Sequence, residues 1–145
     1  MQWHESQGQK LLSGVDLEAG GTWLGLNESG QFCAVTNIRG ANIEVENPRS
    51  RGELPINHLT KNSVEQTTTF LQNNFSNYQP FNLWFGSLID RNIIHFNSVQ
   101  NKFEQLSKGF HAVSNSQHYD RWPKMIRGVE KIENQISDNQ TLNTD

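Results

Sequence analysis

Cysteine is almost missing from this chain: Cys33 stands alone among 145 residues. A single thiol excludes an internal disulfide and any zinc site assembled from several thiolates. Basic runs are missing too. Lys and Arg number 12 against 15 Asp and Glu, giving a net charge of -3 and a pI near 5.9. That balance opposes a nucleic-acid partner, which selects a basic face. Long apolar runs are also missing. The longest, 81–85 and 87–89, fall far short of the ~20 residues a spanning helix needs. The first ten residues, MQWHESQGQK, are polar where a secretion signal would be apolar. The five histidines, His4, His58, His95, His111 and His118, show no metal-ligand spacing such as HExxH. These absences predict a soluble, cytoplasmic chain with no metal, no cofactor, no nucleic-acid partner and no membrane span.

What the chain does have is Asn, Gln and Ser in quantity, a mean hydropathy of -0.70 and only 34% hydrophobic residues. Its length suits one domain that buries roughly two thirds of its unfolded surface. Residues 1–5 carry neither strand alternation nor helical period and read as a loop. Residues 22–26 and 31–37 are rich in β-branched and aromatic residues around the turn Asn27-Glu28-Ser29-Gly30, the pattern of a hairpin. Residues 40–52, broken by Pro48, read as an exposed connection, and 53–60 as a short helix. A second helix begins after Ser63, where Ser63 and Gln66 form a capping-box pattern and Val64, Thr67 or Thr68 and Leu71 share a face. Residues 73–80 read as a loop, and 81–89 with 93–96 as a second hairpin around Asp90-Arg91-Asn92. A short strand is expected over 110–114. The last helix starts at Pro123, a residue favoured at the first helical position. It runs to about Ile136 on a stripe of Met125, Val129, Ile132 and Ile136. Residues 137–145 read as a disordered tail after a domain of 1–136. Two hairpins with helices between and after them predict an α+β fold.

Several blocks resemble one family. Residues 12–25 contain Gly14-Val15-Asp16 and Gly20-Gly21-Thr22-Trp23-Leu24-Gly25, similar to the core GxDxxxGGTWLG of the NRDE family, that of the transport and Golgi organisation protein 2 homologues. Ala34-Val35-Thr36-Asn37, Ser50-Arg51-Gly52-Glu53-Leu54, Phe81-Asn82-Leu83, and Val113-Ser114-Asn115 followed by Trp122-Pro123-Lys124 resemble further blocks of that family, in its order, over roughly 10–130. The Met-Cys start and the Asn-Arg-Asp-Glu signature are not found, so the resemblance implies a chain truncated at both ends. More distantly, the blocks resemble the choloylglycine branch of the N-terminal-nucleophile hydrolases. That implies an incomplete αββα sandwich with antiparallel hairpins and a parent that is an amidase-like hydrolase. In that superfamily an N-terminal Cys attacks the amide and its own amine handles the proton. A downstream Asn donates to the oxyanion. The chain itself, lacking the nucleophile, is expected to be inactive. The alternative is a non-catalytic module that binds or moves a small molecule, haem or lipid. A homo-oligomer is expected as well.

The residues carried over are Asn37 and Asn115, as catalytic groups. Each ends an expected strand, and each has a plain competing role: Asn37 terminating a strand through its own backbone, Asn115 capping a turn. Gly20-Gly21 precedes a strand rather than a helix, so it reads as a tight turn that lets Trp23 pack, not as a phosphate cradle. Asp16 reads as a cap of the same loop. Arg51 with Glu53, and Asp120 with Arg121, read as surface pairs or helix starts. Cys33 lies mid-strand between Phe32 and Ala34 with no base nearby in sequence, which marks a packing residue. Cys33→Ala should therefore cost about 1 kcal/mol, and a thiol reagent should label the native protein only on the timescale of unfolding. Rapid labelling contradicts this reading.

Overall fold

Gln7 and Gly8 both lie at positive φ, 49° and 79°. Two such residues form the tight two-residue turn that matches the twist of paired strands. They join β1 (Gln2–Ser6) to β2 (Gln9–Ser13). This hairpin corrects the loop expected at the N-terminus. The computed structural model describes residues 1–17, 20–61, 63–115 and 123–141. After β2 come β3 (Leu24–Asn27), β4 (Gln31–Asn37), α1 (Glu53–Lys61) and α2 (Val64–Asn74), then β5 (Phe81–Ser87), β6 (Asn92–Asn97), β7 (Lys102–Gln105) and α3 (Pro123–Thr141). The seven strands form one antiparallel sheet whose spatial order equals their order in the chain. The class is α+β.

The β3–β4 and β5–β6 hairpins and the starts of all three helices lie where the sequence places them. Ser63 caps α2 by accepting from the Gln66 amide, but its hydroxyl donates to Glu65 rather than meeting a returning Gln66 side chain. Three expectations need correction. Residues 73–80 are not all loop, because α2 continues to Asn74 and a 3-10 turn covers Phe75–Asn77. Residues 110–114 form no strand: they pair with neither edge of the sheet. The sheet instead ends on β7, a short edge strand. Finally, α3 runs past Ile136 to Thr141, over part of the expected tail; 142–145 lie outside the described residues. Among the described residues no helix is long and apolar enough to cross a membrane.

Alternation decides the two faces of the sheet. Leu11, Cys33, Val35, Phe81, Leu83, Phe85 and Phe96 point to one side and meet Leu54 and Leu59 of α1, Leu71 of α2, and Tyr78. Gly25 leaves room for α1 here: a Cβ on it would lie 2.7 Å from Leu59 Cδ1 and 3.2 Å from Ser13 Cβ. Cys33 is fully buried, and burial pushes its thiol pKa well up. The other face carries a continuous row linked by register, Trp3–Leu12–Leu26–Phe32–Gly86–Ile93, and beside it Leu24, Ala34 and Trp84. Neither α1 nor α2 reaches that side; their contacts run to the core face.

His58 is fully buried in the core, paired with Thr67 Oγ1 at 2.8 Å and edge-on to Phe85. Burial lowers its pKa from 6.5 to about 4. The unfolded chain therefore takes up this proton first as pH falls. Stability is complete above about 6.5, declines between 6.5 and 4, and loses about 3 kcal/mol in total from this group. Burial lowers the pKa of His95 as well, which acts in the same direction. Urea melts at pH 7.5 and pH 5 should differ by about 2 kcal/mol, and His58→Gln should remove most of that difference. Equal stability at the two pH values contradicts a neutral buried His58.

Candidate functional site

The sheet ends on one side at Asn37, the last residue of β4. Three loops converge there. Residues 21–23 enter β3, with Trp23 C=O accepting from the Val35 amide at 2.9 Å. Gly21 is pressed against Gly52, whose carbonyl accepts from the Thr22 amide at 2.9 Å. A Cβ on Gly21 would sit 2.5 Å from the Gly52 carbonyl carbon, so only glycine fits. The Gly-Gly pair therefore serves a close backbone approach, and Trp23 is not packed inside as expected but 47% exposed. Asp16 closes the preceding loop through its backbone, accepting from the Gly20 amide and donating to Gly21 C=O, both at 2.8 Å.

The third loop, 113–115, is strapped over the end of the sheet. The Arg39 amide donates to Asn115 C=O at 2.7 Å. Asn82, 1% exposed, holds the strap from beneath by donating Nδ2 to Ser114 C=O at 3.2 Å. Its Oδ1 accepts from Asn97 Nδ2 at 3.2 Å and from His95 Nε2 at 3.0 Å. The neutral His95 ring therefore carries its proton on Nε2. This buried network was not singled out from sequence, although Asn82 lies inside the Phe81-Asn82-Leu83 block. An Asn between large apolar residues in a strand is the signal that points to it.

Between strap, strand end and the first turn of α3 lies a cleft of about 460 Å³. Its described lining is Trp23, Val35, Thr36, Asn37, Arg39, Val113, Ser114, Asn115, Lys124 and Met125. The structure thus brings Asn37 and Asn115 to one cleft. Asn37 is half-buried, and its Oδ1 is a buried atom without a hydrogen-bond partner. Buried amide oxygens are rarely left so. Cys33 does not line the cleft. The described lining contains two cations and no carboxylate or histidine. Sequence reasoning passed over Arg39 and Lys124, and it placed Met125 only in a helical stripe.

Arg51 and Glu53 are not partners. Arg51 Nη1 donates to Pro80 C=O at 3.1 Å, whereas Glu53 pairs with Arg49 at 2.7 Å and accepts from the Tyr78 hydroxyl. These contacts fasten the start of α1 and lie away from the cleft. Asp120, Arg121 and His118 lie outside the described residues. Among the described residues no group of three or more His, Cys, Asp or Glu side chains is placed to hold a metal.

The structure defines an α+β domain with one meandering sheet, helices on one face and a ligand-sized cleft at a strand end. The family described as transport and Golgi organisation 2 matches residues 1–145, the whole chain, and the chain belongs to that family. It is also similar to the transport and Golgi organization protein 2 homolog of Bos taurus, 43% identical over 54 residues. That match covers 35% of this chain and 19% of the bovine protein.

Removing the Asn82 amide takes one hydrogen bond each from the His95 Nε2–H, the Asn97 amide and the Ser114 carbonyl. Asn82→Leu should cost about 2–4 kcal/mol and speed exchange of the Arg39 amide proton. Retained stability with unchanged exchange at Arg39 contradicts a strap held by Asn82.

Proposed function

We propose that the cleft is the carbonyl-receiving wall of a small-molecule site of the N-terminal-nucleophile hydrolase kind, and that this chain binds acyl compounds without cleaving them. One observation carries the reading. Two asparagines far apart in sequence, Asn37 and Asn115, line a single cleft, and Asn37 presents a carboxamide whose Oδ1 has no partner. A carboxamide at a strand end can donate an N–H to a carbonyl oxygen; in a transition state such a donor contributes roughly 3–4 kcal/mol.

The hydrolytic step would need an attacking group and a base. The hydroxyls of Thr36 and Ser114 lie in the cleft, but the described lining provides no histidine or carboxylate to activate them. Cys33 is buried and its thiol pKa is raised, so it is not a thiolate at neutral pH. The described lining therefore supplies a carbonyl-receiving wall and not the attacking group. The αββα sandwich belongs to the same proposal, supported by one sheet with two helices on one face and an apolar row on the other. A second reading, a binding module for an apolar acid of the lipid or haem class, is favoured by Trp23, Val113 and Met125 lying beside Arg39 and Lys124.

The test is titration of the 145-residue protein with short acyl amides and the matching free acids, followed by NMR. Binding should perturb the Asn37 side-chain amide, and the amides should remain uncleaved. Asn37→Asp, a near-isosteric exchange of donor for acceptor, should weaken binding about tenfold, the scale of one lost hydrogen bond, with the melt unchanged. Asn115→Asp should act in the same direction. Unchanged affinity in both variants refutes the carbonyl-receiving role.

A further inference from the structure

The cleft carries the same pair of groups twice, a carboxamide with a cation. Asn37 and Arg39 flank the buried Ile38, and both line the cleft. Two residues apart, their Cα atoms are at most about 7 Å from each other. The strap and the first turn of α3 supply the second pair, Asn115 and Lys124. The Arg39 amide donates to Asn115 C=O at 2.7 Å, which fixes the second asparagine beside the first cation. A ligand carbonyl received by either asparagine therefore brings its neighbouring atoms within reach of a positive charge.

That charge is local and unbalanced. The chain as a whole carries -3, yet the described lining has two cations and no carboxylate. Among the described residues Arg39 forms no ion pair, whereas Lys10, Arg49 and Lys102 are each paired with a glutamate. Arg127, one turn further along α3, bends its Nε back to Pro123 C=O at 3.3 Å and keeps another cation at this end of the helix. The N-terminus of α3 adds the positive end of its dipole.

We propose that the ligand of this cleft is an acyl compound with two polar groups. Its neutral carbonyl is received by Asn37 and Asn115, and a separate oxyanion is held by Arg39 and Lys124. Its apolar chain lies on Trp23, Val113 and Met125. The proposal rests on the carbonyl-receiving reading of the cleft and adds the charge of the ligand to it. The oxyanion is a carboxylate or a phosphate: a guanidinium forks onto either through two parallel N–H···O bonds, and an ammonium adds a point charge. A free fatty acid offers one polar group where the cleft provides for two. A neutral amide leaves the cations unused. The volume of about 460 Å³ lies toward the lower end of ligand sites and favours a short chain.

Calorimetric titration of the 145-residue protein with four probes tests the inference. N-Hexanoylglycine carries a carbonyl and a carboxylate, and N-hexanoyl-O-phosphoethanolamine a carbonyl and a phosphate. N-Hexanoylglycine methyl ester keeps the carbonyl without the anion, and hexanoate keeps the anion alone. At least one of the two-group probes should bind about tenfold or more tightly than the ester and than hexanoate, the scale of one charge-assisted contact. Whichever binds more tightly supports the inference and identifies the oxyanion. Arg39→Gln and Lys124→Gln should each erase most of that preference, with the affinity for the ester and the thermal melt unchanged. Both residues are exposed, and if one variant fails to fold the other carries the comparison. Equal binding of the ester and the two-group probes overturns the inference and leaves the carbonyl-receiving reading standing. Equal binding of hexanoate overturns it too, as does a preference that survives both variants. Failure of all four probes, the ester included, removes the carbonyl-receiving reading and this inference with it.

Discussion

The pairing of β4 with β5 is the constraint on which the remainder of the structure rests. Seven consecutive residue pairs, from Gln31–Ser87 to Asn37–Phe81, join two strands separated in the chain by both α1 and α2. Every other strand pair is joined without an intervening helix. This pairing therefore joins two meanders into one sheet. It also places Cys33 opposite Phe85 and Val35 opposite Leu83, the centre of the layer on which α1 and α2 rest. A slip by one residue would turn that whole set to the other face.

The cleft is a consequence of where that pairing stops. Asn37 is the last paired residue of β4, and the chain leaves the sheet there through Ile38, which bonds Pro80, and Arg39, which bonds Asn115. On the underside, Asn82 pairs with Thr36 in the ladder and reaches the strap with its side chain. Beside these, the Gly21–Gly52 contact ties the entry of β3 to the start of α1 and so sets where Trp23 stands. The cleft is thus built from backbone bonds between loops, with a buried polar cluster beneath them.

Much of this was legible in the sequence, and what was not has physical causes. The central hairpins could be read because their strands have neighbours on both sides and helices above, which demand apolar and β-branched residues. The edges could not. β1 has one neighbour and no helix over it, so Gln2–Ser6 needs no alternation and reads as loop; Gly8 was its only local signal. β7 offers only Phe103 to the core side, packed on Phe96. Conversely, 110–114 has strand-like residues but joins neither sheet edge. Asn37 and Asn115 were found through family resemblance, since no local spacing links residues that meet only after the sheet has formed. Arg39 and Lys124 were missed for the same reason: single exposed cations look alike until a cleft gathers them.

The identity of spatial and sequential strand order also bears on how the molecule assembles. Of the six strand contacts, four close across turns of two to four residues and β2–β3 across a ten-residue loop, so both meanders can grow by zippering, at little loop-closure cost. The exception is the junction of β4 with β5. It must close a long connection, and that closure becomes favourable only once α1 and α2 have condensed against a sheet half-formed on each side. The rate-limiting event is expected to be the meeting of two preformed halves, with residues of β4 and β5 acting late and the outer hairpins early or not at all. In a chain emerging from the ribosome, the β1–β4 meander would wait, already paired, for its partner.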